Sequence, residues 1–594
     1  MSALSVGLLV LIASTSTVSD SRPPLSEEEL ELLQSIEAEQ NEVEKLAEPT
    51  DQEKVGTQKR QIGRSWRTWA ATLTENLGAS DAPVRWTRDE PGHLKPMAKG
   101  MASHRVLTEL DGLPIRTIYD GVNELGAALI FDPQTVSPRG LGETGFQIGR
   151  RRLRQRGVVG AQTEGWLTIG SYLRDYGAGL SLAHESNNYS IFGQAAVSQP
   201  ATGYLTAEQD TTRFNGHLRA SNKNEKSNPL SWTLGIDVDE VQDLVRWELN
   251  SSGDAIELRR SRMGGFGRWS FQNQMLQVDF QPFYFRYVTE QGNPRRTSGE
   301  ENVHQAGVLL NAAAKILEKA KVGVKIEGHR QVGEHGFVGD LNSAEKDELR
   351  AGLTAYIGDT LDRETSHSFV EINFGRAFGE QSQEEQSNQI EYFYGSIAGA
   401  YRIFEPLQLF GGVHYLPQFP SVKDLIRGAS AEVEHLIHSN VGVTAALGMV
   451  SLSTEVYFNN YNNLRTLSSF TQRVGNKDSQ ADVGSLFTFS WRLSEGFELN
   501  GSNGFERTNE TNYHYRRIRL VYTHSKEGFL TEASVSQWSN TTLWTNLAFQ
   551  APFLNKHFVA RLTLDNIQDY ESFRPDSSIP EPELSVRLLL RTMW

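Results

Sequence analysis

Hydrophobic and polar residues alternate in short runs from about residue 145 to the end of the chain, and turn-forming residues separate these runs. The sequence LQVDFQ at 276–281 alternates without a break, and so do 450–459 and 517–522. Successive side chains of a β-strand point to opposite faces, so this period predicts strands with one apolar and one polar face. At Pro282 the pattern loses its phase, and there the residues do not predict which face is which.

The C-terminal segment Leu584 to Trp594 shows the alternation most clearly. One predicted face is almost entirely apolar and the other carries two arginines. The first face holds Leu584, Val586, Leu588, Leu590, Thr592 and Trp594, and the second holds Ser585, Arg587, Leu589, Arg591 and Met593. A last strand of this kind, ending on an aromatic residue, is typical of an outer-membrane β-barrel with a wet interior. Taken alone, the segment would also suit the edge strand of a soluble sheet.

Composition favours the barrel. Only 38% of the 594 residues are hydrophobic, and no segment after the N-terminus approaches the ~18 consecutive apolar residues of a spanning helix. A barrel needs apolar residues at only half of its strand positions. With roughly 40 residues for each pair of strands, the last ~450 residues predict on the order of 22 strands. The lumen of so wide a barrel must be filled.

Charge and residue types exclude several functions. A net charge of -15 argues against nucleic acid as a partner. The absence of cysteine excludes disulfides, thiolate metal sites and cysteine nucleophiles. His435 and His438 lie three residues apart, so on one strand they face opposite ways and cannot chelate together. No phosphate loop, zinc-helix histidine pair or nucleophile elbow is present. The sequence therefore predicts no enzyme, no catalytic residue, no cofactor and no metal site.

The N-terminal part divides into three segments. Residues 1–19 are interpreted as a signal peptide, because an apolar stretch precedes a small-x-small site at Thr17-Val18-Ser19. They lack a basic start, and an apolar tail is the alternative. Residues 20–59 are an acidic helical linker, either a solvated spacer or a docking segment for a periplasmic partner. Residues 60–145 predict a compact α+β domain, with a helix at 66–77 and strands at 84–87, 94–99 and 106–110.

The chain after residue 60 resembles the TonB-dependent receptors of Gram-negative outer membranes. In the α+β domain, the matching features are a helix and strand, a basic residue before glycine, an apolar strand closing on Leu-Asp-Gly, and a segment closing on Arg-Gly. They lie at Thr72–Leu77, Val84–Thr87, Lys99-Gly100, Arg105–Ile115 and Phe131–Gly140. In the C-terminal part, the matches are a strand and return at Gln408–Val443 with Phe419-Pro420-Ser421 at the turn, the sequence YFNNYNNL at 457–464, and the closing segments 565–570 and 580–594.

Three departures from the family pattern stand out. Lys99 replaces the usual arginine, and Trp594 replaces the usual phenylalanine. No clear TonB box is found, because Glu53–Thr57 lacks the usual run of valines. The resemblance therefore indicates the fold more strongly than energised transport.

The resemblance implies a transmembrane antiparallel β-barrel of about 22 strands at 146–594, with the α+β domain at 60–145 as a plug in its lumen. It implies an outer-membrane active transporter that imports a ferric siderophore, a cobalamin or a carbohydrate with energy from TonB. The alternative is a TonB-independent solute-specific porin or a surface-binding barrel protein. Implied partners are TonB, outer-membrane lipid, a small-molecule ligand, and the barrel assembly machinery through the strand ending at Trp594. The resemblance implies a monomer.

The resemblance also implies sites in the plug. The family's outward plug loops correspond to Arg88 and Asp89, Ser103 and His104, and Tyr119 and Asp120, which are candidate ligand-binding residues. Charged, imidazole and phenol groups could hold an anionic chelate or a polyhydroxylated solute, although solvated loop residues are the alternative. The basic residues Lys99, Arg105 and Arg139 are candidates for ion pairs between plug and barrel wall.

Overall fold

The computed structural model describes the chain from residue 84 to residue 593 with gaps, and its side chains from residue 167 onward. The predicted signal peptide, the acidic linker, the helix at 66–77 and the TonB-box region at 53–57 lie outside the described residues. No helix among the residues described here is long and apolar enough to cross a membrane.

The C-terminal part is a closed antiparallel barrel of 22 strands, as predicted. Neighbours along the chain are neighbours in the sheet, and the last strand pairs with the first. The barrel strands are β7 (Gly160–Gly170), β8 (Tyr176–Glu185), β9 (Tyr189–Gln199), β10 (Gln209–Asn222), β11 (Leu230–Arg246), β12 (Ala255–Gln272), β13 (Leu276–Asn293), β14 (Arg296–Leu317), β15 (Ala320–Phe337), β16 (Asp340–Gly358), β17 (Phe369–Gln383), β18 (Gln386–Phe404), β19 (Leu407–Tyr415), β20 (His435–Leu447), β21 (Val450–Leu467), β22 (Val474–Arg492), β23 (Phe497–Arg507), β24 (Asn512–His524), β25 (Phe529–Trp538), β26 (Trp544–Phe553), β27 (Phe558–Asp565) and β30 (Ser585–Met593).

The remaining described strands form three small sheets. The pair β1–β2 is a hairpin, β3 to β6 form one sheet in the order β4-β3-β6-β5, and a short pair precedes the last barrel strand. These strands are β1 (Val84–Glu90), β2 (His93–Ala98), β3 (Val106–Leu110), β4 (Leu113–Ile115), β5 (Phe131–Pro138), β6 (Phe146–Arg152), β28 (Ser572–Phe573) and β29 (Pro580–Glu581). The sequence predicts that the barrel begins at residue 146. In the structure, β6 instead pairs in parallel with β3, and the first barrel strand begins at Gly160.

The side chains are arranged inside out, which confirms the faces predicted from the alternation. On β21, Val456 and Phe458 are 50% and 42% exposed, whereas Glu455 and Asn459 are 4% and 0% exposed. On β24, the exposed Ile518 similarly precedes the buried Arg519. Apolar residues thus face outward and polar residues face the interior of the barrel, as expected of strands that cross lipid.

The C-terminal strand closes the barrel. Strand β30 pairs with β27 on one side and with β7 on the other, where Arg587 lies opposite Gly170 and Met593 opposite Glu164. Inside the strand, Leu589 is buried. Closure leaves no sheet edge, and in lipid an open edge would leave backbone groups without hydrogen-bond partners.

The stretches 290–302, 379–389 and 500–512 are polar and rich in turn-forming residues, and their length predicts long loops rather than tight hairpins. The structure shows that this prediction is wrong. At the rim opposite the C-terminus, β13 and β14 remain paired up to Asn293 and Arg296, and β17 and β18 remain paired up to Gln383 and Gln386. The third stretch has only residues 508–511 outside β23 and β24. Beyond the lipid both faces of a strand are wet, so the apolar alternation ends although the backbone pairing continues.

The extended hairpins carry charged pairs on their outer face. In the β15–β16 hairpin, Arg330 Nη2 lies 2.8 Å from Glu345 Oε2, and both side chains are about half exposed. On the next hairpin, Arg376 pairs with Glu391. Exposed pairs of this kind contribute about 0–1 kcal/mol each, so they mark where the lipid-facing band ends more than they stabilise the hairpins.

Substitution of Val441 by arginine tests the inside-out arrangement. Val441 is 62% exposed in the middle of β20, opposite Gly411 and Val456. An arginine facing acyl chains at mid-height should lower the free energy of unfolding by about 2–4 kcal/mol. The measurement is denaturant unfolding in phospholipid vesicles, with Glu334→Arg on the exposed part of β15 as control. Equal stability of the two variants would contradict a lipid-facing Val441.

Candidate functional site

One connection of the barrel folds inward rather than away from the strands. Residues 416–434, here called the inner loop, join β19 to β20 at the rim opposite the C-terminus, and the structure describes them at 416–426 and 432–434. The backbone groups of Gln418 and Glu434 bond to each other at 2.8 and 3.0 Å, and Leu416 N donates to Leu436 O at 2.8 Å. This bridge joins the two ends of the loop.

The inner loop contains a short helix, α1 (Val422–Ile426), whose start is built from local sequence. Asp424 N donates to Ser421 Oγ at 3.1 Å, and Ser421 N donates to Asp424 Oδ2 at 2.9 Å. This is a reciprocal capping box, which satisfies two backbone donors that a helix start otherwise leaves open. The helix start is therefore specified by Ser421 and Asp424 themselves.

The apolar face of α1 packs against the inner wall of the barrel. Val422, Leu425 and Ile426 are 0–2% exposed. They form one cluster with Phe285, Tyr287, Val303 and Ala344, and Phe266 and Phe283 pack against it. Burial of side chains of this size is worth roughly 1.5–3 kcal/mol each, so the cluster holds α1 against the wall.

This cluster explains the lost phase at Pro282. On β13 the inward residues remain in strict alternation, because Pro282 and Tyr284 face outward while Phe285 and Tyr287 are buried inside. The inward residues here differ only in being apolar, because α1 covers this part of the barrel interior. The alternation of apolar and polar residues in the sequence therefore disappears where both faces of the strand are apolar.

A second contact fixes the start of the inner loop. The Phe419 ring meets the Tyr392 ring edge-on, with centroids 4.6 Å apart. The Nζ of Lys346 lies 5.3 Å from the Phe419 ring centroid on the other side. An aromatic edge and a cation are both attracted to the negative face of an aromatic ring, so both contacts favour this position of the Phe419 side chain. Phe419 is 1% exposed.

Arg465 of β21 binds both ends of the inner loop. Its Nη1 lies 2.8 Å from Asp424 Oδ2 and donates to Phe419 O at 3.1 Å. Its Nε lies 3.5 Å from Glu434 Oε2, and its backbone N donates to the same oxygen at 2.8 Å. Arg465 and Glu434 are nearly fully buried, so each depends on the other for neutralisation.

Glu348 is the centre of a second buried network in the wall near α1. Its carboxylate lies 2.9 Å from Lys346 Nζ and also pairs with Arg350. It accepts a hydrogen bond from Tyr392 Oη at 2.9 Å, and His329 Nε2 lies 3.4 Å away. Buried charges require such partners, and here one carboxylate is matched by several donors.

Amide side chains complete the contact between wall and loop. Val422 N donates to Gln331 Oε1 at 3.2 Å, and Gln383 Nε2 donates to Leu425 O at 3.0 Å. These bonds satisfy backbone groups at both ends of α1. The result is a bore narrowed on one side by a helix that is fixed by apolar, ionic and amide contacts.

The predicted plug residues lie in a part of the chain whose side chains the structure does not describe. Arg88 and Asp89, predicted in a loop, belong to β1, at an irregular point of its pairing with β2. Their side chains lie outside the described residues. The same holds for Ser103, His104, Tyr119, Asp120, Lys99, Arg105 and Arg139. The proposed ligand and plug–wall contacts of these residues remain predictions.

The two histidines of β20 face opposite ways, as predicted. His435 lies on the outer face, where its Nδ1 is 2.8 Å from Tyr415 Oη and its ring stacks on the Tyr415 ring. His438 is 0% exposed inside the barrel. They cannot bind one ion together.

Sequence reasoning missed the residues that hold the inner loop. Arg465 and Glu348 are distant from the loop in sequence, and no local pattern predicts their contacts. One signal was available, because Ser421 and Asp424 have the spacing of a capping box directly after Pro420. It would have placed a helix start inside a segment interpreted only as turn and loop.

The closed strands, the apolar outer face and the polar buried interior define a transmembrane β-barrel. No family model matches the sequence, and no curated protein matches it. Among solved structures, the FrpB iron transporter from Neisseria meningitidis (F3-3 variant) is similar with a TM-score of 0.76 at 9% identity, over 91% of this chain and 99% of that one. The copper transporter OprC gives 0.74 at 12% identity, over 89% and 96%.

The ferric yersiniabactin uptake receptor FyuA from Yersinia pestis gives 0.66 at 10% identity, over 88% of this chain and 95% of that one. The chain therefore has the fold of TonB-dependent receptors, which confirms the resemblance found in its motifs. At these identities the likeness concerns the fold.

Substitution of Arg465 by alanine should release the inner loop. The buried carboxylates of Asp424 and Glu434 would lose their cation, which should lower the free energy of unfolding by about 3–5 kcal/mol. Lys423 lies within α1 and is a trypsin site, so limited proteolysis of the folded protein should cut the variant after Lys423 and spare this bond in the wild type. Arg259→Ala, at an exposed pair with Glu240, is the matched control. A loop that resists trypsin equally in all three proteins would refute the role of Arg465.

Proposed function

We propose that this protein is an outer-membrane transporter that binds a scarce solute outside the cell and imports it into the periplasm with energy from TonB. The observation that carries the proposal is the closed 22-strand barrel, whose outer face is apolar and whose interior is polar. A barrel of this size has a bore that must be plugged. A soluble binding protein does not require such a surface.

The solved structures that share the fold support a metal chelate as the solute. They include an iron transporter, a copper transporter and a ferric yersiniabactin uptake receptor. Among the solutes that the sequence left open, a ferric siderophore is therefore the first to test, ahead of a cobalamin or a carbohydrate. No catalytic role is proposed.

A plug formed by residues 60–145 in the lumen is part of the proposal. Since the barrel strands occupy 160–593, a structural match over 91% of the chain must include residues before the barrel. We infer that the plug's outward loops bind the ligand. A ligand can change the exposure of the TonB-binding segment only if it binds two plug states with different affinity.

The proposed place in the outer membrane requires that the protein be exported and assembled there. Residues 1–19 would be removed as a signal peptide on export, and the barrel assembly machinery would recognise the strand ending at Trp594. The protein would then stand in the outer membrane as a monomer surrounded by lipid.

A solute-specific porin without energy coupling is the second candidate. The inner loop favours it, because a helix fixed inside a barrel narrows the bore. A narrow passage can select solutes by size with no moving plug. The two functions differ in their need for energy.

Uptake of ferric chelates should be measured in cells producing the protein, with and without a protonophore. Energised import predicts that collapse of the proton gradient abolishes uptake above the level of cells lacking the protein. Uptake that continues at its full rate would discard energised import and favour the porin.

Combined substitution of Arg88, His104 and Tyr119 by alanine tests the proposed ligand loops. Loss of a charge, an imidazole and a phenol should weaken chelate binding at least about tenfold, since charge-assisted hydrogen bonds contribute most. Binding is measured on the purified protein, with barrel assembly checked by heat-modifiable mobility in gels. The triple substitution of Arg259, His435 and Tyr401, on the barrel, is the control. Unchanged affinity would refute the loop assignment.

A further inference from the structure

The outer face of the barrel carries a groove at mid-height. Its floor contains Gly399 of β18 and Gly411 of β19, which lie directly opposite each other. The groove has a volume of about 540 Å³. Its walls are apolar side chains that are 48–62% exposed, namely Val370, Ile397, Val413, Val441 and Val456. It is therefore an open depression in a surface that otherwise consists of protruding apolar side chains.

The floor of the groove is built into the packing of the strands. A Cβ atom on Gly399 would lie 2.9 Å from Phe369 O, and one on Gly411 would lie 2.8 Å from Asn440 O. Any larger residue at either position would have to displace the main chain of a neighbouring strand. The depression therefore cannot be filled from its floor without disturbing the wall.

The medium outside this part of the wall is lipid, so the natural occupant of the groove is an acyl chain. In lipid, association is driven by close packing rather than by the hydrophobic effect. A chain that lies in the groove touches its floor and its walls, whereas a chain on a smooth wall touches only the tips of side chains, and each atom contact adds dispersion attraction. The groove therefore holds one chain more firmly than the surrounding lipid is held.

A cation lies above the groove, where the lipid-facing band ends. Arg376 of β17 is opposite Phe393 of β18, and its Cζ lies 4.5 Å from the Phe378 ring centroid and 5.3 Å from that of Phe393. The two rings hold the guanidinium on the outer face by cation–π attraction. Glu391 also pairs with it. A guanidinium has five N–H donors, so this one carboxylate leaves donors for a further anion.

The cation and the groove are separated by the depth of one lipid leaflet. Val370 and Arg376 lie six residues apart on β17, which is roughly 20 Å along a strand. For a strand tilted by about 35–45° this corresponds to about 15 Å along the membrane normal, and half of an apolar band of about 25 Å is about 12 Å. When Arg376 is level with the lipid headgroups, the groove therefore lies where acyl chains end.

We propose that this outer surface binds one phosphate-bearing membrane lipid, with an acyl chain in the groove and the headgroup phosphate on Arg376. A planar guanidinium matches the geometry of a phosphate better than any other cationic side chain does. Strands β17 and β18 contribute to both the cation and the groove, so one lipid molecule reaches both. The site lies outside the bore and does not depend on energised import.

The headgroup is tested by native mass spectrometry of the purified full-length protein in detergent, titrated with phosphatidylglycerol. One lipid should bind to each barrel, and diacylglycerol with the same chains, which lacks the phosphate, should bind at least about tenfold more weakly. Arg376→Gln should cause a loss of the same size, whereas Glu391→Gln should strengthen binding, because it removes a competing carboxylate. Arg330→Gln, at a similar exposed pair with Glu345, is the matched control.

The position of the acyl chain is tested by fluorescence quenching. The chain has no cysteine, so a fluorophore can be attached to the Ser439→Cys variant at the edge of the groove. Phosphatidylglycerol with a nitroxide on its acyl chain should quench this fluorophore saturably. Val413→Trp, which fills the groove from its wall, should abolish the saturable quenching, and Val535→Trp, exposed on β25, is the control.

Several outcomes would overturn the proposal. They are a wild-type barrel that binds no lipid in a one-to-one ratio, equal affinity for phosphatidylglycerol and diacylglycerol, and saturable quenching that survives Val413→Trp. A dimer in the mass spectrum that Val413→Trp dissociates would assign the groove to a second copy of the protein instead. The wild-type titration decides the question by itself if a variant does not assemble. Because purified protein is used without TonB, failure of energised uptake would leave this result unaffected, and the reverse also holds.

Discussion

The structure depends on one constraint, which is that lipid offers no hydrogen-bond partner to a peptide group. Strands can satisfy their backbone in lipid only if each is paired on both sides. The pairing of β30 with both β27 and β7 meets that requirement. The outward apolar residues and inward polar residues follow from it, because each strand then has lipid on one face and the barrel interior on the other.

Closure at 22 strands creates a wide interior, and part of that interior is filled by the chain's own inner loop. The loop is bound by two kinds of contact. The apolar cluster around α1 supplies most of the burial, whereas Arg465 and the Glu348 network supply orientation, because buried charges tolerate few geometries. The wall is polar elsewhere and apolar beneath α1, so the two sides of the barrel interior differ.

Much of the barrel was predictable because its pattern is local. The faces of 450–459, 517–522 and 584–594 follow from a period of two, which any segment displays by itself. The number of strands follows from the length of the C-terminal part, at roughly 40 residues for each strand pair. The prediction failed where another element changed the environment. At Phe285 and Tyr287 the interior is apolar because α1 covers it, and at 290–302 and 379–389 both faces are wet while the backbone pairing continues.

The sequence by itself determined the alternation within each lipid-crossing strand, which of its faces meets lipid, and where α1 begins, because alternation and capping depend on neighbours a few residues away. Only the tertiary structure decided which inward-facing side chains meet. Arg465 meets Asp424 and Glu434, and His414 meets His438, because the register between strands is set by the closure of the whole barrel. The physical reason is that a strand's alternation specifies the direction of each side chain, whereas the residue opposite it depends on how every other strand is aligned.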